Sequence, residues 1–308
     1  MFLEKVKEKL KLRKLVAIII ALVVVIQAVI TVVVCESFLN TDSFSASEKA
    51  ESIITKPLST NEYISWLKGK STEKMLRNGE GTAIEIKNNS TSHSYVVIFH
   101  SLSLKPEDTA SYAMHFYDLG FNVLIPYYIS ETASMGIEEK NSVSAWVNAV
   151  AESDEKAKIY ILGLGVGGVS AILATENNLP DNVKGIISDS AYSDINDMFK
   201  ENFDNVYGFS SFPTIQLSAL YIKLTRGWDF SKVDIISAAR KSSVPILYIH
   251  GTEDSVVPVG QSNELYEVTR AKGTEHETIH GAGHLQGLNT DNEKYWRVVD
   301  EFIRNTID

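Results

Sequence analysis

Cysteine is nearly absent from this sequence. The single one, Cys35, excludes an intrachain disulfide and any metal site built from several cysteines. Excess basic charge is also missing. The formal net charge is −10, and after residue 15 no basic patch with interleaved aromatics occurs, which argues against a nucleic-acid surface. There is no internal repeat, no long low-complexity tract, and no His/Asp/Glu spacing that reads as a metal site or calls for a cofactor. The remaining balance, 44% hydrophobic and 22% charged over 308 residues, is that of an ordinary globular protein with one large domain or two small ones.

Residues 1–14 carry Lys5, Lys7, Lys9, Lys11, Arg13 and Lys14 against Glu4 and Glu8. Residues 15–34 then form an apolar run interrupted only by Gln27 and Thr31. The run is long enough to span a bilayer, whereas a cleaved signal has an apolar core of about 7–15 residues. The nearest small-x-small site, Ser43-Phe44-Ser45, sits well past it. The expectation is an uncleaved single-pass anchor in a plasma membrane, with 1–14 as a cytoplasmic tail and 15–34 as the transmembrane helix. Basic residues before the run, and only Lys49 just after it, put the N-terminus in the cytoplasm and the rest outside. Cys35 follows Val32-Val33-Val34, which lacks the small residue that precedes a lipoprotein cysteine, so it reads as an interfacial thiol. Polar residues at 35–62 read as a tether to a domain at 63–308.

Within that domain, helical spacing covers 61–76 and a short first strand is expected at 83–86. Buried strands are expected at 94–100, 121–126, 159–162, 183–188 and 245–250, with a last strand at 275–280. Helices are expected at 107–119, 142–151, 260–272 and 293–307. Alternation of this kind predicts an α/β fold with a doubly wound, mostly parallel sheet. A long insert at about 191–240, with Phe199, Phe203, Tyr207, Phe212 and Tyr221, predicts a helical lid.

The stretch KIYILGLGVGGVSAILATE, 158–176, reads as strand, glycine turn and a helix from about 169. It fits two registers. In one, Gly163-Leu164-Gly165-Val166-Gly167 is a nucleophile elbow G-x-S-x-G with glycine in the serine slot. In the other, Gly163, Gly165 and Gly168 are a dinucleotide fingerprint, with Asp189 as the ribose-binding acid. The second register places the turn after the first strand of its domain, but here two strong strands precede it. A lone fingerprint is a weak signal.

Two later loops favour the elbow. YIHGTEDSVVP puts Asp254 in a turn after one strand, and IHGAGH puts His284 in a loop after the next. Elbow, acid, histidine is the chain order of an α/β-hydrolase triad. These loops, with ISDSAYSD, resemble membrane-anchored bacterial serine hydrolases of the S33 peptidase and esterase type, over about 95–305. The resemblance implies that Asp254 orients His284 and that His284 is the general base. It implies that the nucleophile position is Gly165, where the serine is absent, and that the amides of Val166 and Leu102 form the oxyanion hole. Two further motifs depart from the family. Its His-Gly is His100-Ser101 here, and its Asp-x-Arg-Gly-x-Gly-x-Ser stretch is replaced by Pro126-Tyr127-Tyr128-Ile129-Ser130. His100 at a strand end reads as structural, as do His93, His115, His250, His276 and His280.

Loss of a triad serine costs about 10⁶ in turnover in a measured protease and leaves about 10³–10⁴ over water. The function expected is therefore that of a pseudoenzyme or weak hydrolase, with a small acyl, ester or peptide ligand in a lid-covered pocket. The alternatives are a hydrolase in which Asp254 and His284 activate water, an ordinary serine hydrolase whose serine has been replaced, and a dinucleotide-binding protein. With glycine at 165 no labelling by an active-site phosphonate is expected, and labelling that depends on His284 would point to another nucleophile such as Ser101, Ser103 or Ser190.

Overall fold

A computed structural model describes residues 2–39, 60–76, 81–89, 91–101, 104–127, 134–207 and 211–307. Helix α1 (Phe2–Leu39) carries the apolar run, and its segment Lys9–Glu36 is long and apolar enough to cross a membrane. Ile18, Val24 and most of its other apolar side chains are exposed, while Thr31, Val34 and Cys35 near its end are buried. Most of the expected tether, 40–59, lies outside the described residues.

Helix α2 (Asn61–Lys70) ends where Ser71 turns extended, at φ −80° and ψ 147°. Strand β1 (Thr72–Met75) then pairs antiparallel with β2 (Thr82–Ile86). The helical spacing expected through residue 76 thus stops at Lys70, and the expected first strand is the second. The edge strand β1 is mostly exposed, so it carries no buried alternation to read.

Strands and helices then alternate: β3 (Ser94–Phe99), α3 (Ala110–Asp118), β4 (Asn122–Pro126), α4 (Glu139–Ser153), β5 (Lys158–Leu164), α5 (Val166–Ala174) and β6 (Val183–Asp189). The helical insert holds α6 (Ile195–Tyr207), α7 (Thr214–Arg226) and α8 (Ile235–Lys241). The chain closes with β7 (Ile246–Gly251), α9 (Val259–Val268), β8 (Glu275–Ile279), the short α10 (Gly287–Thr290) and α11 (Asn292–Thr306).

All eight strands form one sheet in the order β1-β2-β4-β3-β5-β6-β7-β8. The pairings β1–β2 and β2–β4 are antiparallel and the rest parallel. Helices cover both faces, so the central strands are apolar throughout rather than alternating. One core packs Trp146, Val147 and Ile172 against the sheet, and the other packs Tyr112, Phe116 and Phe302. The winding reverses between β3 and β5. In open α/β sheets ligands bind at the C-terminal ends of strands at such a reversal. Ser101 lies just past the end of β3, and Gly165 just past the end of β5.

Candidate active site

A single residue joins β5 to α5. Gly165 has φ +57° and ψ −116°, a region that side-chain-bearing residues enter only under strain. The turn is fixed by its own backbone: Gly165 N donates to the Asp189 carbonyl at 2.8 Å, and the Gly165 carbonyl accepts from Gly168 N at 3.0 Å. Because that carbonyl already accepts a helical bond, α5 starts at Val166 rather than near 169. The first amides of a helix have no carbonyl a turn earlier to bond, so Val166 N–H points its dipole out of the helix start. A Cβ at Gly167 would stand 2.0 Å from the Phe99 carbonyl. Only glycine permits that contact, which presses the end of β3 against α5 and brings Ser101 to the elbow.

Asp254 lies in the turn after β7. Its Oδ1 accepts from Val256 N at 2.9 Å and Val257 N at 2.8 Å. Its Oδ2 is 2.8 Å from His284 Nδ1 and 3.2 Å from His250 Nε2. Glu253 N donates to the Ala282 carbonyl at 2.9 Å, which ties the acid loop to the histidine loop. Burial alone would raise the Asp254 carboxyl, but His284 and His250 overcome it and hold the carboxyl below its ordinary value. Burial likewise opposes charge on His284, and the Asp254 carboxylate overcomes it, so the imidazole sits above its ordinary 6.5. Asp254 thereby directs the Nδ1 proton toward itself and leaves Nε2 facing the elbow.

Three of the sequence-derived positions meet at one point. A Cβ built on Gly165 would lie 3.0 Å from Ser101 Oγ and 3.7 Å from His284 Nε2. The Ser101 hydroxyl and His284 Nε2 thus border the same space, the one that a side chain at 165 would fill. Ser101, Asp254 and His284 are all buried. Leu102, expected to supply the second oxyanion amide, and Tyr128, Ile129 and Ser130 lie outside the described residues, as does Ser103.

The other candidates fall elsewhere. His100 Nδ1 is 2.8 Å from the Ser101 carbonyl, and burial lowers its pKa, so it braces the loop as a neutral ring. Asp189 accepts from Ser190 Oγ and Tyr295 Oη, both at 2.9 Å, and Ser190 Oγ accepts from Leu285 N at 3.2 Å. This buried network supports the histidine loop and occupies the acid that the dinucleotide reading assigns to a ribose. A Cβ at Gly163 would stand 2.4 Å from Gly168 N, so the fingerprint glycines serve close strand–helix packing. His250, read from the sequence as structural, donates through Nε2 to the Val257 carbonyl at 2.8 Å and also faces Asp254. Its signal is the i, i+4 spacing inside the acid-loop motif. Among the described residues, no group of three or more His, Cys, Asp and Glu is placed to hold a metal.

The strand order, with an elbow, acid and histidine at the winding reversal, defines an α/β-hydrolase. The sequence profile of the prolyl oligopeptidase family matches residues 135–308, and the chain belongs to that family. It is 24% identical over 220 residues to the uncharacterized protein YqkD of Bacillus subtilis, covering 69% of this chain and 72% of that one. In fold it is similar to the Pyrococcus furiosus esterase Pf2001, at a TM-score of 0.61 and 18% identity, covering 78% of this chain and 91% of that one. It is also similar to a puromycin-hydrolyzing peptidase of Mycobacterium tuberculosis, at a TM-score of 0.58 and 17% identity, covering 77% of this chain and 39% of the peptidase.

Proposed function

We propose that this chain is a membrane-anchored acyl hydrolase of low turnover, in which the Asp254–His284 pair activates an oxygen that the elbow residue does not supply, and that this oxygen is Ser101 Oγ. The observation that carries the reading is the shared point at the elbow, 3.0 Å from Ser101 Oγ and 3.7 Å from His284 Nε2. Esterase and peptidase activities of the fold's relatives make a carboxylic ester or amide the substrate class.

The chemistry follows from the groups present. His284 Nε2 takes the proton of Ser101 Oγ as that oxygen bonds to the substrate carbonyl carbon. The carbonyl oxygen gains the charge, and Val166 N–H at the start of α5 is the amide placed to stabilise it. Collapse breaks the bond to the leaving group, which takes the proton from His284 and departs as an alcohol or amine. Water then attacks the acyl–Ser101 ester, giving its proton to His284, and the acid is released with the hydroxyl restored. Turnover is low because Ser101 leaves the loop after β3 rather than the helix start, so its hydroxyl is less well held over the oxyanion amide. A displacement of about 1 Å costs roughly 10²-fold.

Anchoring follows from α1, and orientation from the basic residues before its apolar run: the N-terminus lies in the cytoplasm and the hydrolase domain outside. The test is hydrolysis of a short activated ester by the full chain in detergent. Slow hydrolysis is expected, lost in both Ser101→Ala and His284→Ala. Loss in His284→Ala alone identifies water as the attacking oxygen. No hydrolysis by the native chain overturns the enzyme reading and leaves a binding module, which the glycine at 165 favours as the second reading.

A further inference from the structure

Helix α7 has two apolar stripes on opposite faces. On one face Ile215 and Ile222 are buried against the rest of the molecule, with the small Ser218 between them. On the other face Leu217, Leu220 and Leu224 recur at the same i, i+3, i+7 spacing and are exposed, Leu220 at 53% and Leu224 at 76%. Phe212, just before the helix, is 71% exposed. A helix apolar on both sides is ordinarily buried on both sides.

The neighbour of α7 shows what covers the second face. α7 packs along the end of α1. Gln27 Nε2 donates to Thr214 Oγ1 at 2.9 Å. Nearer the domain, Tyr221 Oη donates to Glu36 Oε1 at 3.0 Å and Arg226 Nη2 to Glu36 Oε2 at 3.1 Å. The two helices therefore run side by side in the same sense. Gln27 lies inside the apolar run. At 1.5 Å per residue, Gln27 is about 10 Å below the end of that run at Val34. If the run fills the hydrocarbon of a bilayer, the bond to Thr214 holds the start of α7 at the same depth. Interfacial helices bury their apolar faces by about 5–10 Å. Polarity along α7 has the matching gradient. Gln216 is the one exposed polar side chain in its first two turns, while Lys223, paired with Asp229, and Arg226 lie in its last turn. Exposed Val29 and Val33 on α1 continue the apolar surface.

We propose that α7 is embedded beside its own anchor in the domain-side leaflet of a phospholipid bilayer, with Phe212, Leu217, Leu220 and Leu224 against the acyl chains. This rests on the reading of α1 as a membrane anchor. The helical insert is then held in the lipid. The interface of α1 with the insert is not sealed: a narrow apolar cleft lined by Val34, Cys35, Phe199, Ile215, Ile222 and Phe230 runs along it.

The test uses the full chain in phosphatidylcholine–phosphatidylglycerol vesicles, in a Cys35→Ala background, with an environment-sensitive fluorophore on a single new cysteine. Positions are Leu220→Cys and Leu224→Cys on α7, Val25→Cys on α1, and the exposed Glu301→Cys on α11 as an aqueous control. Brominated phosphatidylcholine is expected to quench the probes at 220 and 224 as it does the probe at 25, and to leave 301 bright. Quenching at 25 without quenching at 220 and 224 overturns the proposal and leaves the anchor intact. A blue-shifted but unquenched probe at 220 overturns it in favour of a protein contact such as a second copy. No quenching at 25 overturns the anchor reading itself and the proposal with it.

Discussion

Ser101 and Gly165 hold each other's identity. The Ser101 hydroxyl lies 3.0 Å from the point where a Cβ on residue 165 would stand, closer than nearly all real Cβ contacts. A serine at 165 and a serine at 101 thus compete for one space beside His284 Nε2. Glycine in the turn after β5 and serine after β3 therefore form one contact, and a change at either position is felt at the other.

That coupling is measurable. Gly165→Ser alone meets both a strained backbone at φ +57° and the Ser101 hydroxyl, and is expected to lower stability by about 1–3 kcal/mol from the backbone alone. In the double variant Ser101→Gly, Gly165→Ser the clash is gone and only the backbone strain remains. Denaturant unfolding should give a double variant more stable than the sum of the two single changes by at least 0.5 kcal/mol, the lower end for residues in contact. Additivity would separate the two residues.

Activity should depend on pH through His284. Its pKa is raised above 6.5 because the buried Asp254 carboxylate outweighs burial. The imidazole must be neutral to accept the Ser101 proton, so kcat/KM for an ester should rise with pH through a midpoint above 6.5. In Asp254→Asn the burial effect remains without the charge, so the midpoint should fall below 6.5 together with a large drop in rate. An unchanged midpoint would detach the titration from this pair.

The same pair sets a stability window. The raised His284 contributes stability that is complete below about 6.5 and fades as pH rises through its folded value. The lowered Asp254 contributes stability that is complete above about 3.8 and fades as pH falls through its folded value. The contribution is therefore greatest between those values. Removing one partner of a buried pair costs about 3–5 kcal/mol, so His284→Ala and Asp254→Ala should unfold at lower denaturant than the native chain, most clearly near pH 5 to 6.

Much of this was legible in the sequence. Asp254 and His284 were readable because each sits in a short loop motif after an apolar strand, and such motifs fix local backbone geometry. The strands β3 to β7 were readable because burial on both faces leaves continuous apolar runs. β1 was not, because its residues face water. Ser101 was legible as a departure from a pattern but not as a neighbour of Gly165. That proximity depends on the contact of Gly167 with the Phe99 carbonyl, and two strands adjacent in the sheet lie some 60 residues apart in the chain. The position of α7 was hidden for a similar reason: contacts between residues some 185 apart in the chain, Gln27 with Thr214 and Glu36 with Tyr221, set it beside α1.

The fingerprint reading predicts a thermal shift with NAD, since a ligand bound only by the folded state raises stability. With Gly163 pressed on Gly168 and Asp189 held by Tyr295 and Ser190, no shift is expected. A shift abolished by Asp189→Ala would reinstate that reading.

Orientation is tested on intact cells. Protease added outside should remove the hydrolase domain and leave the basic N-terminal tail protected. A fully protected, membrane-bound chain would reverse the topology.

The most direct measurement is the site of a covalent adduct. The full chain treated with an alkyl fluorophosphonate, digested and mapped by mass spectrometry should carry the phosphonyl group on Ser101, and neither Ser101→Ala nor His284→Ala should carry it. An unlabelled native chain, beside a labelled Ser101→Gly, Gly165→Ser double variant, would contradict the account by showing a working base and pocket in which the Ser101 hydroxyl is not the nucleophile.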